Sequence, residues 1–248
     1  MKLYSKEEMY LSFSILNVEK VEGLDMESID YKSIEESDIE TMIEKGILER
    51  DENGNADFSK DSFLCFSTIA RPDAYITFCK EDDALHYMNL YIKGASIVYT
   101  VMQGEEIGVK WIPTIPLAIG SYAGFWKEFA LEETIISNEK LKKTFYMNDQ
   151  DLDTQLLQYL EESLIENEPA SKIFNTVDET LKISGYDIKN PENNMKMFIW
   201  GNDKKYVQCT IKGKNATYSI PNKEDAINSI TDWFAGTYSS VLKKEGKQ

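Results

Sequence analysis

The sequence predicts an α+β protein: a central antiparallel sheet from two quasi-two-fold-related β-meanders, flanked by helical bundles. Three observations point there. Two blocks of short runs rich in Tyr, Ile, Val, Thr and Phe, at 74–111 and 195–220, are each bordered by segments of helical periodicity. Residues 87–101 align without gaps on residues 206–220, with Tyr, Ile, Lys, Gly and Tyr identical, as an internal repeat would. Both copies place a glycine, Gly94 or Gly213, between two strand runs, where a two-residue hairpin turn needs positive φ.

Each element has a local cause. Ser5 with Glu8 three residues later is a capping-box pattern, and Met9, Phe13 and Leu16 follow at helical spacing, so a helix starts there. A second start lies at Ser37, with Glu40 in the box position and Ile39, Met42, Ile43 and Ile47 as its apolar stripe. Asp51-Glu-Asn-Gly-Asn55 is a turn. As a calcium loop it fails, with Gly fourth instead of sixth and Ser62 where the terminal Glu belongs. A short helix is expected over 58–69, broken by Arg71-Pro72-Asp73, and strands follow at 74–80, 85–92, 96–102 and 107–111. Pro113 and Pro116 close this meander, 117–129 reads as a packed helix, and 140–148 as a connector. Helices are expected over 152–165 and after Pro169, the latter with Ile173, Val177 and Leu181 on one side and Gly185 as C-cap. Strands return at 195–200, 205–212 and 216–220, and a last helix over 222–242 buries Ala226, Ile230, Trp233, Phe234 and Val241. Trp111, Trp126, Trp200 and Trp233 all read as core. Residues 1–148 would form one half-repeat and 149–248 the other, within one compact domain.

The turn chemistry also predicts register. A type II′ turn at Gly94 pairs Lys93 with Ser96, Tyr91 with Val98 and Asn89 with Thr100. At Gly213 it pairs Lys212 with Asn215, Thr210 with Thr217 and Gln208 with Ser219. One face then carries Met88, Leu90, Ile92, Ile97, Tyr99 and Val101, matched by Val207, Cys209, Ile211, Ala216, Tyr218 and Ile220, and is the core side. The other face carries Tyr87, Asn89, Tyr91, Val98 and Thr100, with Gln208 and Thr210 from the second hairpin. That face is too polar for a core and too aromatic for plain solvent. It fits an ordinary solvated face, a partner-binding face, or a face covered by the chain's own helices.

Composition bounds the function. The 248 residues carry a formal charge of −16, which repels phosphates and makes nucleic acid and anionic membranes poor partners. The first sixty residues hold 16 acidic and 7 basic side chains, over half of that charge. His86 is the one histidine, which excludes metal sites and triads built on several. Cys65, Cys79 and Cys209 are odd in number and far apart, as reduced thiols of a cytosolic protein are. The start Met1-Lys-Leu-Tyr-Ser-Lys-Glu-Glu lacks the apolar core of a signal peptide, and no run of about twenty apolar residues occurs, so a cytoplasmic protein is expected. No nucleotide-binding loop, CxxC pair or nucleophile elbow is present, so no catalytic residue, metal or cofactor is expected. Glu81, Asp82 and Asp83 could serve an acidic-dyad hydrolase, but adjacent carboxylates between strands read first as a solvated hairpin tip.

The stretch Ile39-Glu-Thr-Met-Ile-Glu-Lys-Gly-Ile-Leu-Glu-Arg-Asp-Glu-Asn-Gly, then a short helix, then Ala70-Arg-Pro-Asp-Ala and a strand meander, resembles the EspG family of type VII secretion-system chaperones. The resemblance covers about residues 3–111 by sequence and the whole chain by outline. It implies a quasi-two-fold fold with a central antiparallel sheet and two helical bundles, no enzymatic activity, and cytosolic binding of helical secretion substrates. Only Arg50 and Arg71 of the 27 basic residues are arginine, the mark of an AT-rich genome, so WXG100 or LXG hairpins fit better than PE-PPE pairs. An immunity protein that neutralises a basic toxin shares the acidic surface and is the alternative. Oligomeric state is not legible.

Overall fold

Gly94 and Gly213 take φ of 53° and 59°, the left-handed values their two-residue turns require. The register around them is the expected one. Lys93 pairs with Ser96, Tyr91 with Val98 and Asn89 with Thr100; Lys212 pairs with Asn215, Thr210 with Thr217 and Gln208 with Ser219. The computed structural model describes residues 1–18, 20–24, 34–81, 85–126, 143–147, 151–163, 179–202, 205–219 and 223–245.

In chain order the elements are β1 (Lys2–Ser5), α1 (Lys6–Ile15), α2 (Glu36–Glu44), β2 (Leu48–Arg50), β3 (Ala56–Phe58), α3 (Lys60–Ala70) and β4 (Ala74–Glu81). Then come β5 (Leu85–Lys93), β6 (Ser96–Gln103), β7 (Glu106–Ile112), α4 (Ile115–Trp126), β8 (Lys143–Tyr146) and α5 (Leu152–Ser163). Last are β9 (Glu179–Asp187), β10 (Met195–Asn202), β11 (Lys205–Lys212), β12 (Asn215–Ser219) and α6 (Lys223–Glu245). Ten strands form one antiparallel sheet in the order β1-β7-β6-β5-β4-β9-β10-β11-β12-β8. The fold is α+β, with a meander on each side of the β4–β9 seam, where Ala74 faces Asp187 and Phe78 faces Ile183.

Several expectations are corrected. The region from Leu181 to Gly185 is not helix but the middle of β9, hydrogen-bonded to β4 and β10. Gly185 serves close approach instead of capping: a Cβ there would lie 2.8 Å from the Trp233 ring. Ile173 and Val177 lie outside the described residues. Residues 143–146, expected as connector, are the edge strand β8 paired with β12. β1 pairs with β7 at the other edge. Residues 48–50 and 56–58 form a small hairpin on either side of the Asp51 turn. The Ser5–Glu8 capping box is present. For α2 the box is Glu35 with Asp38, two residues before the expected start.

The two hairpins matched in sequence also hold different places in the sheet. Counted outward from the seam, β5 and β6 are the second and third strands of one half, whereas β11 and β12 are the third and fourth of the other. The sequence match therefore pairs strands that do not hold equivalent places. Facing follows cross-strand rows, because opposed residues share a face. One row runs Tyr87, Cys79, Lys182, Phe198, Cys209, Tyr218, and the next runs Met88, Phe78, Ile183, Met197, Thr210, Thr217, Thr144. Aligned positions thus point to opposite sides of the sheet.

The core has three parts. On one face α4 and α6 cover Ile76, Phe78, Leu90, Ile92, Ile183, Met197 and Ile199, with Ile230, Trp233 and Phe234 packed down from α6. On the other, α1, α2 and α3 bring Met9, Phe13, Met42, Phe66 and Ile69 onto Tyr75, Tyr91, Val98, Ile107 and Val109. Further along that face Leu156 and Tyr159 of α5 pack on Val207, Cys209, Ala216 and Tyr218. Of the second-hairpin residues expected in the core, Val207, Cys209, Ala216 and Tyr218 are buried and Ile211 partly so, but in this separate cluster. Ile220 lies outside the described residues.

Candidate partner-binding face of the sheet

Five of the seven expected binding residues share one face of β5 and β6, and the chain itself covers most of it. Tyr91, Val98 and Thr100 are fully buried and Asn89 nearly so, while Tyr87 is half-buried. Of the three readings of this face, cover by the chain itself is the one that Asn89, Tyr91, Val98 and Thr100 meet. The cause is the helical layer: α3 crosses β5 and β6, and the turn at Gly23 closes over the polar side chains. Tyr91 donates its hydroxyl to the Glu22 carbonyl at 2.8 Å. Asn89 donates its amide to the Gly23 carbonyl at 2.9 Å and to Thr100 Oγ1 at 3.2 Å. Tyr91, Tyr75 and Tyr186 stack in series across β5, β4 and β9, with centroids 6.0 and 4.8 Å apart. Burial pushes the Tyr91 and Tyr75 phenols well above their usual range, since a phenolate there would lose its hydration. Tyr91 and Tyr75 are neutral packing and hydrogen-bonding groups.

Gln208 and Thr210 lie on the opposite face. Gln208 is buried and donates to Thr210 Oγ1 at 3.1 Å. Thr210 is half-buried and begins a polar ladder that opens toward the edge, where Thr217 and Thr144 meet at 3.1 Å. Thr144 and Tyr146 on β8 are exposed. The seven residues therefore form two surfaces, one closed and one partly open.

Asp51 accepts from the backbone N–H of Asn53 and of Asn55, both at 2.8 Å. The Asn55 side-chain amide also donates to it at 3.1 Å, and these hydrogen bonds, led by that one, hold its carboxyl below the usual 3.8; the expected turn is formed. Cys209 is buried and its thiol is pushed up to about 12 by burial; Cys79 is also buried, and Cys65 is half-buried. His86 pairs across the ladder with Lys80. Glu81 ends β4, and Asp82 and Asp83 lie outside the described residues. Among the described residues no three His, Cys, Asp or Glu side chains gather as metal ligands. None of the described helices is long and apolar enough to cross a membrane.

Sequence reasoning missed one feature. A groove of about 360 Å³ lies between β1, β7 and α3, lined by Met1, Tyr4, Leu64, Cys65, Val109 and Trp111 among others. Trp111, expected in the core, is 44% exposed at its wall. The reason is the length of β1: Lys2 pairs with Val109, so the edge strand stops short of Trp111.

No protein-family model and no curated protein matches this sequence. Among solved structures, the chain is similar to EspG5, the Mycobacterium tuberculosis type VII secretion system chaperone solved in complex with a PE25-PPE41 dimer. The TM-score is 0.63 at 8% sequence identity, over 95% of this chain and 96% of that one. The fold is EspG-like. The resemblance read over about residues 3–111 by sequence, and over the whole chain by outline, implied this fold, and the likeness in fold extends over 95% of the chain.

Proposed function

We propose that this protein is a cytoplasmic chaperone or adaptor that binds helical substrates of a type VII, ESX-like, secretion system and keeps them soluble for export. It performs no chemistry and uses no cofactor. The observation that carries the reading is the likeness to EspG5 along nearly the full length of both chains. EspG5 holds a PE25-PPE41 dimer, so the partner class here is a helical PE-PPE or WXG100/LXG substrate, the lysine-rich composition favouring the latter. First contact falls on the open polar ladder of Thr210, Thr217 and Thr144, with Tyr146 at its edge. Hydroxyls and a tyrosine of this kind adapt to a partner's polar groups at low entropy cost. The Tyr87, Asn89, Tyr91, Val98 and Thr100 face takes part only where its cover moves.

The test is co-expression with each substrate class, followed by size-exclusion chromatography. A helical substrate that is insoluble alone and co-elutes with this chain supports the reading. Thr210→Lys with Thr217→Lys should then weaken co-elution, by about tenfold if the ladder is central. No complex with any of the three classes would sink it. Tight binding to a basic toxin domain instead would replace it with the immunity reading, which the charge of −16 favours.

A further inference from the structure

Under the turn at Gly23 the sheet presents a recess of four polar side chains. Thr77, Asn89 and Thr100 form one cross-strand row, and Tyr91 reaches in from the next. The recess holds backbone, not side chain. Tyr91 donates to the Glu22 carbonyl and Asn89 to the Gly23 carbonyl, at 2.8 and 2.9 Å. Gly23 is required by both conformation and space. Its φ is +79°, and a Cβ there would lie 3.0 Å from Asn89 Oδ1 and 3.1 Å from Thr77 Oγ1 and Tyr91 Oη. The fit is nevertheless incomplete, because Asn89 Oδ1 is buried and receives no hydrogen bond among the described residues. Buried acceptors are normally satisfied, so the recess offers one position that the Gly23 turn does not fill. Besides the hydrogen bonds from Tyr91 and Asn89, the turn is held by a longer one from Tyr75 to the Glu22 carboxylate at 3.5 Å and by Val21, which is deeply buried, with Leu24 packed on the same cluster. Lys20 and Glu22 are exposed, and Gly23 and Leu24 are half-buried.

We propose that Thr77, Asn89, Tyr91 and Thr100 form a binding recess for consecutive backbone carbonyls of a glycine-containing turn, which the chain's own Gly23 turn occupies until a partner displaces it. The ligand chemistry is that of a helix end. Helix C-termini leave their last carbonyls without intrahelical partners and commonly reverse at a glycine with positive φ. A following backbone N–H would supply what Asn89 Oδ1 lacks. The identity of the partner as the tip of a helical substrate rests on the proposed function; the recess and its internal occupant do not.

Two measurements on the full chain test this, and neither uses a secretion substrate. In the wild-type protein, hydrogen exchange at residues 20–24 should run about a hundredfold faster than at β5 and β6, the signature of local opening without global unfolding. A synthetic peptide of residues 17–24 should bind the Gly23→Ala protein saturably, because the added Cβ lifts the internal turn. It should bind wild type at least about tenfold more weakly, since the tethered turn competes at high effective concentration. Adding Asn89→Leu to the Gly23→Ala protein should abolish binding. Exchange at 20–24 only on global unfolding would overturn the proposal. So would a Gly23→Ala chain that cannot fold, a folded one that ignores the peptide, or binding that survives Asn89→Leu. Failure of the chaperone reading would leave all these results unchanged.

Discussion

Gly185→Ala should destabilise the protein, although the residue sits in a strand where alanine is ordinarily the better choice. A Cβ at this position would lie 2.8, 2.8 and 2.9 Å from Cε2, Cζ2 and Cη2 of Trp233. Carbon atoms pack at about 3.5–4.0 Å, so the indole must retreat by roughly 0.6 Å or more. That movement strains the 2.7 Å hydrogen bond from Trp233 Nε1 to the Asn193 carbonyl. Overpacking costs about 1–3 kcal/mol and the weakened hydrogen bond about 1 kcal/mol. The smaller conformational freedom of the unfolded alanine chain returns about 0.4–1 kcal/mol. The net is a loss of about 2 kcal/mol, which lowers Tm by about 4–8 °C in a domain of this size. Urea unfolding followed by near-ultraviolet circular dichroism reads both the stability and the indole environment. The cycle is closed with Trp233→Leu, in whose background Gly185→Ala should cost about nothing, since the clashing ring is gone. A Gly185→Ala protein within about 0.5 kcal/mol of wild type would refute the reasoning. An undiminished penalty in the Trp233→Leu background would refute it too.

Three further outcomes are expected. Tyr91→Phe should cost about 1 kcal/mol through the hydrogen bond to Glu22, whereas Tyr91→Ala should cost about 3–5 kcal/mol through its cavity; a mild Tyr91→Ala in urea unfolding would mean the helical layer does not pack on this face. Alkali should destabilise the fold: Cys209 is raised by burial from 9.0 to about 12, and Tyr4, again mainly by burial, from 10.0 to about 12. The unfolded chain therefore loses these protons first, so stability is full below about pH 9 and falls as pH rises toward 12; a flat unfolding midpoint across that window would contradict it. Asp51 has the opposite sign, because its carboxyl is held below 3.8 by the Asn55 and Asn53 hydrogen bonds. The order it gives the hairpin turn persists above the ordinary value and is lost as pH falls through the lower one, and the Asn53 and Asn55 amide shifts should titrate with a midpoint under 3.8.

What the sequence determined by itself was short-range. The turn glycines Gly94 and Gly213 set two hairpins in register, because a two-residue loop leaves no freedom in the pairing beyond it. Ser5 and Glu8 started α1 because a capping box needs only its own four residues. The alternation along β5 and β6 was correct for the same reason, and so was the overall class. The candidate face was legible as a set of residues, not as an accessible surface: Tyr91 and Asn89 had the composition of a binding site because they bind the chain's own carbonyls.

The tertiary structure decided what depends on distant segments. β1 and β8 are four-residue strands without a pattern of their own, and they exist because β7 and β12 offer them an edge. Leu181 and Gly185 sit at a spacing that a helix also allows. Pairing with β4, about a hundred residues earlier, makes them strand, and Trp233 makes Gly185 necessary. Side-chain facing in the second hairpin was decided the same way. A match between hairpins carries no information about which strand of a meander each occupies, and a displacement of one strand put Gln208 and Thr210 on the other side of the sheet from Asn89 and Tyr91. With a side-chain period of two, local sequence fixes which residues share a face, and only long-range packing decides what that face meets.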